Sequence, residues 1–194
     1  MVKLIIKRLL FLLSLILTFP LILVTWIEGL VARRRSERVF GWCKETLSLF
    51  PTILGEYMRL AYYWAVCTGI SLNASFLFGS MLSRRDTIVQ SGAVIGAYSI
   101  IGHADIGEDV LFGARVSLLS GKYQHGHPKE RAKKEEGVSE IQLIKIGDNS
   151  WIGQDSVIMA NIGENCTVGA GSVVYRDVPD NTTVMGNPAR KVNL

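Results

Sequence analysis

Residues 89–113 read VQSGAVIGAYSIIGHADIGEDVLFG, and residues 144–169 read IKIGDNSWIGQDSVIMANIGENCTVG. In both stretches an aliphatic residue or Phe is followed by Gly, mostly at intervals of six: Ile95-Gly96, Ile101-Gly102, Ile106-Gly107 and Phe112-Gly113, then Ile146-Gly147, Ile152-Gly153, Ile162-Gly163 and Val168-Gly169. Val89, Leu118, Ile158 and Val174 keep the register without the Gly. A period of six suits neither a helix of 3.6 nor a strand of two, so it describes a larger unit. A coil of short parallel strands fits. Its aliphatics point inward and stack on their equivalents in the next turn, while the residue after each, lacking Cβ, turns a corner. Three hexads close one triangular turn. The shorter steps, Ile101 to Ile106 and Ile158 to Ile162, read as trimmed corners.

Outward from this core the chain changes character. Over its 194 residues it is 48% hydrophobic and 20% charged, which excludes global disorder. Its 19 Gly against 5 Pro point to repeated tight turns. Cys43, Cys67 and Cys166 are far apart and show no C-x-x-C spacing, so neither a disulfide scaffold nor a zinc ribbon is indicated, and a reducing compartment is the default. The net charge of +4 is local. Residues 1–38 carry Lys3, Lys7, Arg8, Arg33, Arg34, Arg35 and Arg38 against Glu28 and Glu37, an excess larger than that of the whole chain, so the remainder is slightly acidic. That excess flanks an apolar run and is suited to anionic lipid headgroups; nucleic acid is not an expected partner.

The run is Leu9–Ile27, LLFLLSLILTFPLILVTWI, 19 residues without a charge. That is close to the roughly 20 needed to cross a bilayer as a helix. No small-x-small cleavage site follows it. Residues 1–38 therefore read as a membrane anchor, which either spans once with the Arg33–Arg38 cluster cytoplasmic or kinks at Pro20 and returns. Residues 39–75 read as an interfacial helical region, whose Tyr57, Tyr62, Tyr63 and Trp64 suit the headgroup layer; a plain helical cap on the following domain is the alternative. Residues 76–194 form the coil, with an inserted loop at 120–143 where the period stops.

An insertion in a solenoid leaves through a corner, so this loop is expected to lie over the coil wall, where chemistry is commonly carried. His125 and His127 lie in it. Proton abstraction from a reacting group needs a base near neutral pH, and imidazole has that pKa. Spacing alone equally allows two solvated loop histidines.

The repeat resembles that of the hexapeptide-repeat acyltransferases, an all-β solenoid family built as a left-handed parallel β-helix, over about residues 76–191. The segment Ser120-Gly121-Lys122-Tyr123-Gln124-His125-Gly126 is similar to the S-G-x-x-Q-H-G stretch of membrane-tethered members found with surface-polysaccharide enzymes, which implies His125 as general base. His127-Pro128 resembles the His-Pro of the galactoside and maltose acetyltransferases, which makes His127 the competing candidate. The ending Gly171-Ser172-Val173-Val174-Tyr175-Arg176-Asp177-Val178-Pro179, then Gly186-Asn187-Pro188-Ala189-Arg190, is similar to the G-A-G-S-x-V…D-V-P…G-x-P-A-R of sugar acetyltransferases. By that likeness Trp151 and Gln154 border the tunnel for the pantetheine arm, Ala170 gives it a backbone contact, and Tyr175 with Arg190 reaches the nucleotide end.

The resemblance thus implies an acetyl-CoA-dependent O-acetyltransferase, a homotrimer with its donor tunnel between neighbouring coils. The anchor adds membrane lipids as partners, a lipid-linked sugar or surface-polysaccharide precursor as acceptor, and the cytoplasmic face of a bacterial-type inner membrane as location. Two rivals stand: a non-catalytic membrane scaffold, and a zinc enzyme like the γ-class carbonic anhydrases. In that class the histidine ligands sit on consecutive corners, whereas His125 and His127 share one loop, so no metal is expected. His103 reads as structural.

Overall fold

The computed structural model of the chain describes residues 2–31, 37–121 and 141–192. Three helices come first: α1 (Val2–Val31), α2 (Arg38–Ser48) and α3 (Thr52–Val66). Among the described residues sixteen short strands follow, β1 (Gly69–Ile70) to β16 (Arg190–Val192), most of them two residues long.

The strands form three sheets that the chain visits in rotation. Sheet A holds β1, β4 (Ile88–Val89), β7 (Ala104–Ile106) and β10 (Ile144–Ile146), and single bridges extend it to Ile162 and Val178. Sheet B runs from β2 (Ser75–Phe76) through β5 (Val94–Ile95), β8 (Leu111–Phe112), β11 (Trp151–Ile152) and β13 (Thr167–Val168) to β15 (Thr183–Met185), and closes with β16. Sheet C holds β3 (Met81–Leu82), β6 (Ile100–Ile101), β9 (Ser117–Leu118), β12 (Val157–Ile158) and β14 (Val173–Val174). Every pairing is parallel except β15 with β16. The repeat has the expected consequence: the second residue of each hexad pair points inward. Phe76, Ile95, Phe112, Ile152, Val168 and Val184 stack on one wall and Leu82, Ile101, Leu118, Ile158 and Val174 on another, all buried. Each such side chain contributes about 1.5–3 kcal/mol of burial against the entropy of ordering it.

Close stacking explains the glycines. At Gly153 a Cβ would stand 2.5 Å from the Ala170 nitrogen in the next turn, closer than packed atoms allow. Small polar residues fill the corners between sheets B and C. Ser99 there donates to the Gly113 carbonyl and accepts from the Val116 N–H, replacing ladder bonds that the corner interrupts.

The coil begins at Gly69, earlier than the start at 76 read from the repeat, because β1 and β2 keep the inward Ile70 and Phe76 without the aliphatic-Gly signature. Helices α2 and α3 cap this open end, and α1 packs on them from outside. Arg59 of α3 is fully buried and donates through Nε to the Phe76 carbonyl (2.9 Å) and through Nη1 to those of Leu47 (3.1 Å) and Phe50 (2.8 Å). It thereby closes the C-terminal end of α2 and ties both helices to β2. Tyr62 and Tyr63 do not lie at a headgroup surface. Both are fully buried, Tyr63 packing on Phe76 and accepting at its hydroxyl the N–H of Leu82. The cap needs large side chains to close the coil, and that demand outweighs the affinity of tyrosine for an interface.

Helix α1 runs unbroken through Pro20, so the return at that residue does not form. Thr25 meets the Tyr62 hydroxyl (2.9 Å), Trp26 Nε1 donates to the Ala65 carbonyl, and the Glu28 carboxylate accepts the N–H groups of Val39 and Phe40 at the start of α2. Its protein-facing side mixes hydroxyls with apolar side chains: Ser14, Thr18, Ile22 and Thr25 are buried and Phe11, Leu15 and Leu21 pack against the core, while Leu9, Ile16, Phe19, Ile27, Leu30 and Val31 are exposed.

Candidate active site

His125 and His127 lie outside the described residues, but the two ends of their loop do not. The loop leaves after β9 of sheet C and re-enters at β10 of sheet A, that is, at the corner between those sheets. His103 sits on this corner one turn earlier, between β6 and β7. Its backbone N–H donates to Ser120 Oγ (2.9 Å) and its carbonyl accepts from the Ile144 N–H (3.0 Å), while the Gln142 N–H reaches the Ser120 carbonyl (3.0 Å). Both stems of the histidine loop are therefore held on His103. Its Nε2 stands 3.6 Å from Asp86 Oδ2, and its Nδ1 is buried with no partner among the described residues. Burial raises the Asp86 carboxyl, but the two bonds and the charge of Arg84 outweigh this and hold it below the usual carboxylate value.

The residues expected at the donor side divide between two edges. Gln154 follows β11, and Ala170 follows β13, so both lie on the corner between sheets B and C in consecutive turns; the Gly171 N–H donates to the Gln154 carbonyl (2.8 Å). Arg190 comes to the same edge by a longer route. After β15 the chain crosses to Val173 of sheet C, which Gly186 and Ala189 both bond, and then turns back into β16, pairing Arg190 with Met185. Trp151 stands half-exposed on the outer face of sheet B, three residues ahead of Gln154. Tyr175 is not with them. It follows β14 on the corner between sheets C and A, the edge that carries the histidine loop, and the Arg176 guanidinium lies 5.2 Å from its ring.

One pair on the B–C edge has no sequence signal. Arg115 and Asp155 are 40 residues apart and meet in a two-pronged ion pair (2.6 and 2.8 Å) beside Gln154. Both have positive φ, 58° and 60°, at equivalent corners of adjacent turns. Around this edge Tyr98, Ile100, Leu111, Trp151 and Met185 are exposed, so its flanks are apolar on both sheets. Among the described residues no group of three His, Cys, Asp or Glu side chains could hold a metal ion.

The comparisons with known proteins agree with this architecture. A sequence model of the family described as "Hexapeptide repeat of succinyl-transferase" matches residues 143–176. No curated protein sequence matches the chain. Among solved structures, a maltose O-acetyltransferase from Clostridium difficile 630 is 24% identical, with 81% of this chain and 85% of that one covered and a TM-score of 0.56. A hexapeptide-repeat acetyltransferase from Vibrio cholerae is 23% identical, over 79% and 86% of the two chains, with a TM-score of 0.53. An N-acyltransferase from Bacillus cereus, solved with dTDP-4-amino-4,6-dideoxyglucose and coenzyme A, is 20% identical over 64% and 70%, with a TM-score of 0.51. The six-residue repeat, the three-sheet coil and these likenesses together identify the strand region as a hexapeptide-repeat left-handed parallel β-helix, the fold of those acyltransferases.

Proposed function

We propose that the chain is an acetyl-CoA-dependent O-acetyltransferase that works at the cytoplasmic face of a membrane on a hydroxyl of a lipid-linked sugar or surface-polysaccharide precursor. The observation that carries the reading is the meeting of Gln154, Ala170 and Arg190 on one edge of the coil, beside Trp151 and between apolar walls. Such an edge offers a flat apolar bed for the pantetheine arm and, at Arg190, a planar cation suited to phosphate.

The loop that bears His125 and His127 leaves from the opposite border of sheet C. Within one protomer the donor edge and the stems of that loop are thus a sheet apart. A cyclic trimer that sets the B–C edge of one coil against the C–A edge of its neighbour unites them, and it covers Leu111 and Ile100 as well. There the acceptor hydroxyl loses its proton to the imidazole of His125 as its oxygen attacks the thioester carbonyl; the carbon–sulfur bond breaks and the thiolate takes the proton back. Tyr175, on the loop edge of one protomer, faces the donor edge of the next in this arrangement.

The exposed apolar side of α1 supports the membrane reading. A helix whose outward face is large and aliphatic, and whose inner face already packs Ile22, Phe11 and Leu15 against protein, is apolar all round, and such an outward face suits lipid. The decisive experiment is thermal unfolding of the purified chain with acetyl-CoA. At 100 times its dissociation constant a native-state ligand adds about 2.7 kcal/mol. A transition that does not move returns the chain to the scaffold reading.

A further inference from the structure

A concave site lies at the other end of the molecule, where the N-terminal third of α1, the first half of α3 and the first turn of the coil border a cavity of about 690 Å³. Its lining is largely apolar and includes Phe11, Leu12, Leu60 and Phe76. Lys7 and Arg8, both exposed, stand at its rim on α1, and Asn73 and Ser75 offer an amide and a hydroxyl from the coil side. Two cations beside an apolar lining, on the helix that bears the outward aliphatic face, match an amphiphile with an anionic head. The volume is that of a site for part of such a molecule, within the range of ordinary ligand pockets.

We propose that this cavity binds one anionic membrane phospholipid, with its phosphate at Lys7 and Arg8, its headgroup hydroxyls toward Asn73 and Ser75, and the first part of an acyl chain against Phe11 and Leu60. The proposal rests on the membrane reading of α1 and adds to it a specific lipid and a specific seat. Bound there, the lipid bridges α1 to the coil and fixes the height of the β-helix above the bilayer, so that the acceptor's hydroxyl and the catalytic edge meet at a set distance from the membrane.

Glu56 also lines the cavity, and it works against an anion. Burial holds its carboxyl above the usual value, opposed by Arg59, which lessens the repulsion without removing it. The site therefore makes two predictions of opposite sign. Removing the cations weakens binding, and neutralising the carboxylate strengthens it.

The test uses the full chain in a neutral detergent, with retained phosphatidylglycerol or phosphatidylcholine counted by native mass spectrometry, and flotation on pure phosphatidylcholine vesicles measured separately. The expected result is one phosphatidylglycerol retained at least tenfold more tightly than phosphatidylcholine. Each basic residue near an anionic headgroup is worth roughly fivefold, so K7A/R8A should lose roughly 25-fold in phosphatidylglycerol affinity while flotation is kept. E56Q should gain affinity. Equal retention of the two lipids, or an unchanged K7A/R8A variant, overturns the site. Failure to float together with a retained preference for phosphatidylglycerol overturns the anchor instead and leaves the site standing.

Discussion

Arg59 is the most demanding side chain in the structure, and replacing it by Met tests how the helical cap is held. Met keeps most of the buried apolar volume and removes three hydrogen bonds from a cation, to the carbonyls of Leu47, Phe50 and Phe76. Hydrogen bonds to a charged group are worth about 1.5–3 kcal/mol each, a gross loss of roughly 5–9 kcal/mol. Against this, the variant no longer buries a guanidinium, whose Nη2 finds no partner among the described residues. The net cost is therefore about 3–5 kcal/mol, the range for breaking a buried charged contact. In a chain of this size that lowers Tm by roughly 10 °C. Denaturant unfolding in detergent measures the loss, and hydrogen exchange locates it: amides of α2 and α3 should exchange faster while those of the β12–β14 region stay protected. Arg59→Lys should fall between, since an ammonium cannot reach three carbonyls set around a planar fork. A loss below about 1 kcal/mol for the Met variant, or full stability in the Lys variant, would show that apolar packing alone seats the cap.

Three further outcomes are expected. Arg190→Ala should weaken acetyl-CoA binding in calorimetric titration and leave folding unchanged, because the side chain is exposed on an edge strand and donates to the neighbouring Ala189 carbonyl. His125→Ala should lower turnover by roughly 10²–10⁴ with donor binding kept, and His127→Ala less; steady-state rates of the two transfer the role of base to His127 if the order is reversed. The Arg84–Asp86 contact should make stability fall in acid. A carboxyl held below its ordinary 3.8 contributes above that value and loses its contribution as pH drops through the lowered one, so Asp86→Asn should flatten the unfolding curve below about pH 3.8.

The repeat alone determined the coil, because a six-residue period of inward aliphatics admits few packings, and each inward position from Val89 to Val174 is buried as its phase requires. Motif likeness pointed to Gln154, Ala170 and Arg190 as donor-site candidates, and their place in the coil is a matter of topology. What remained invisible depended on contacts between residues far apart in the chain. Trimmed corners and the inserted loop shift the phase, so only the folded chain decides that Tyr175 and the loop stems share one edge while Gln154 and Arg190 share another. The pairing of Arg115 with Asp155 needs two turns stacked in register, and the stem of the histidine loop needs His103 beneath Ser120. The aromatic cap was the least legible part. Tyr62, Tyr63 and Arg59 have the composition of an interface, and they are buried because the first turn of a solenoid exposes its interior and something large must close it.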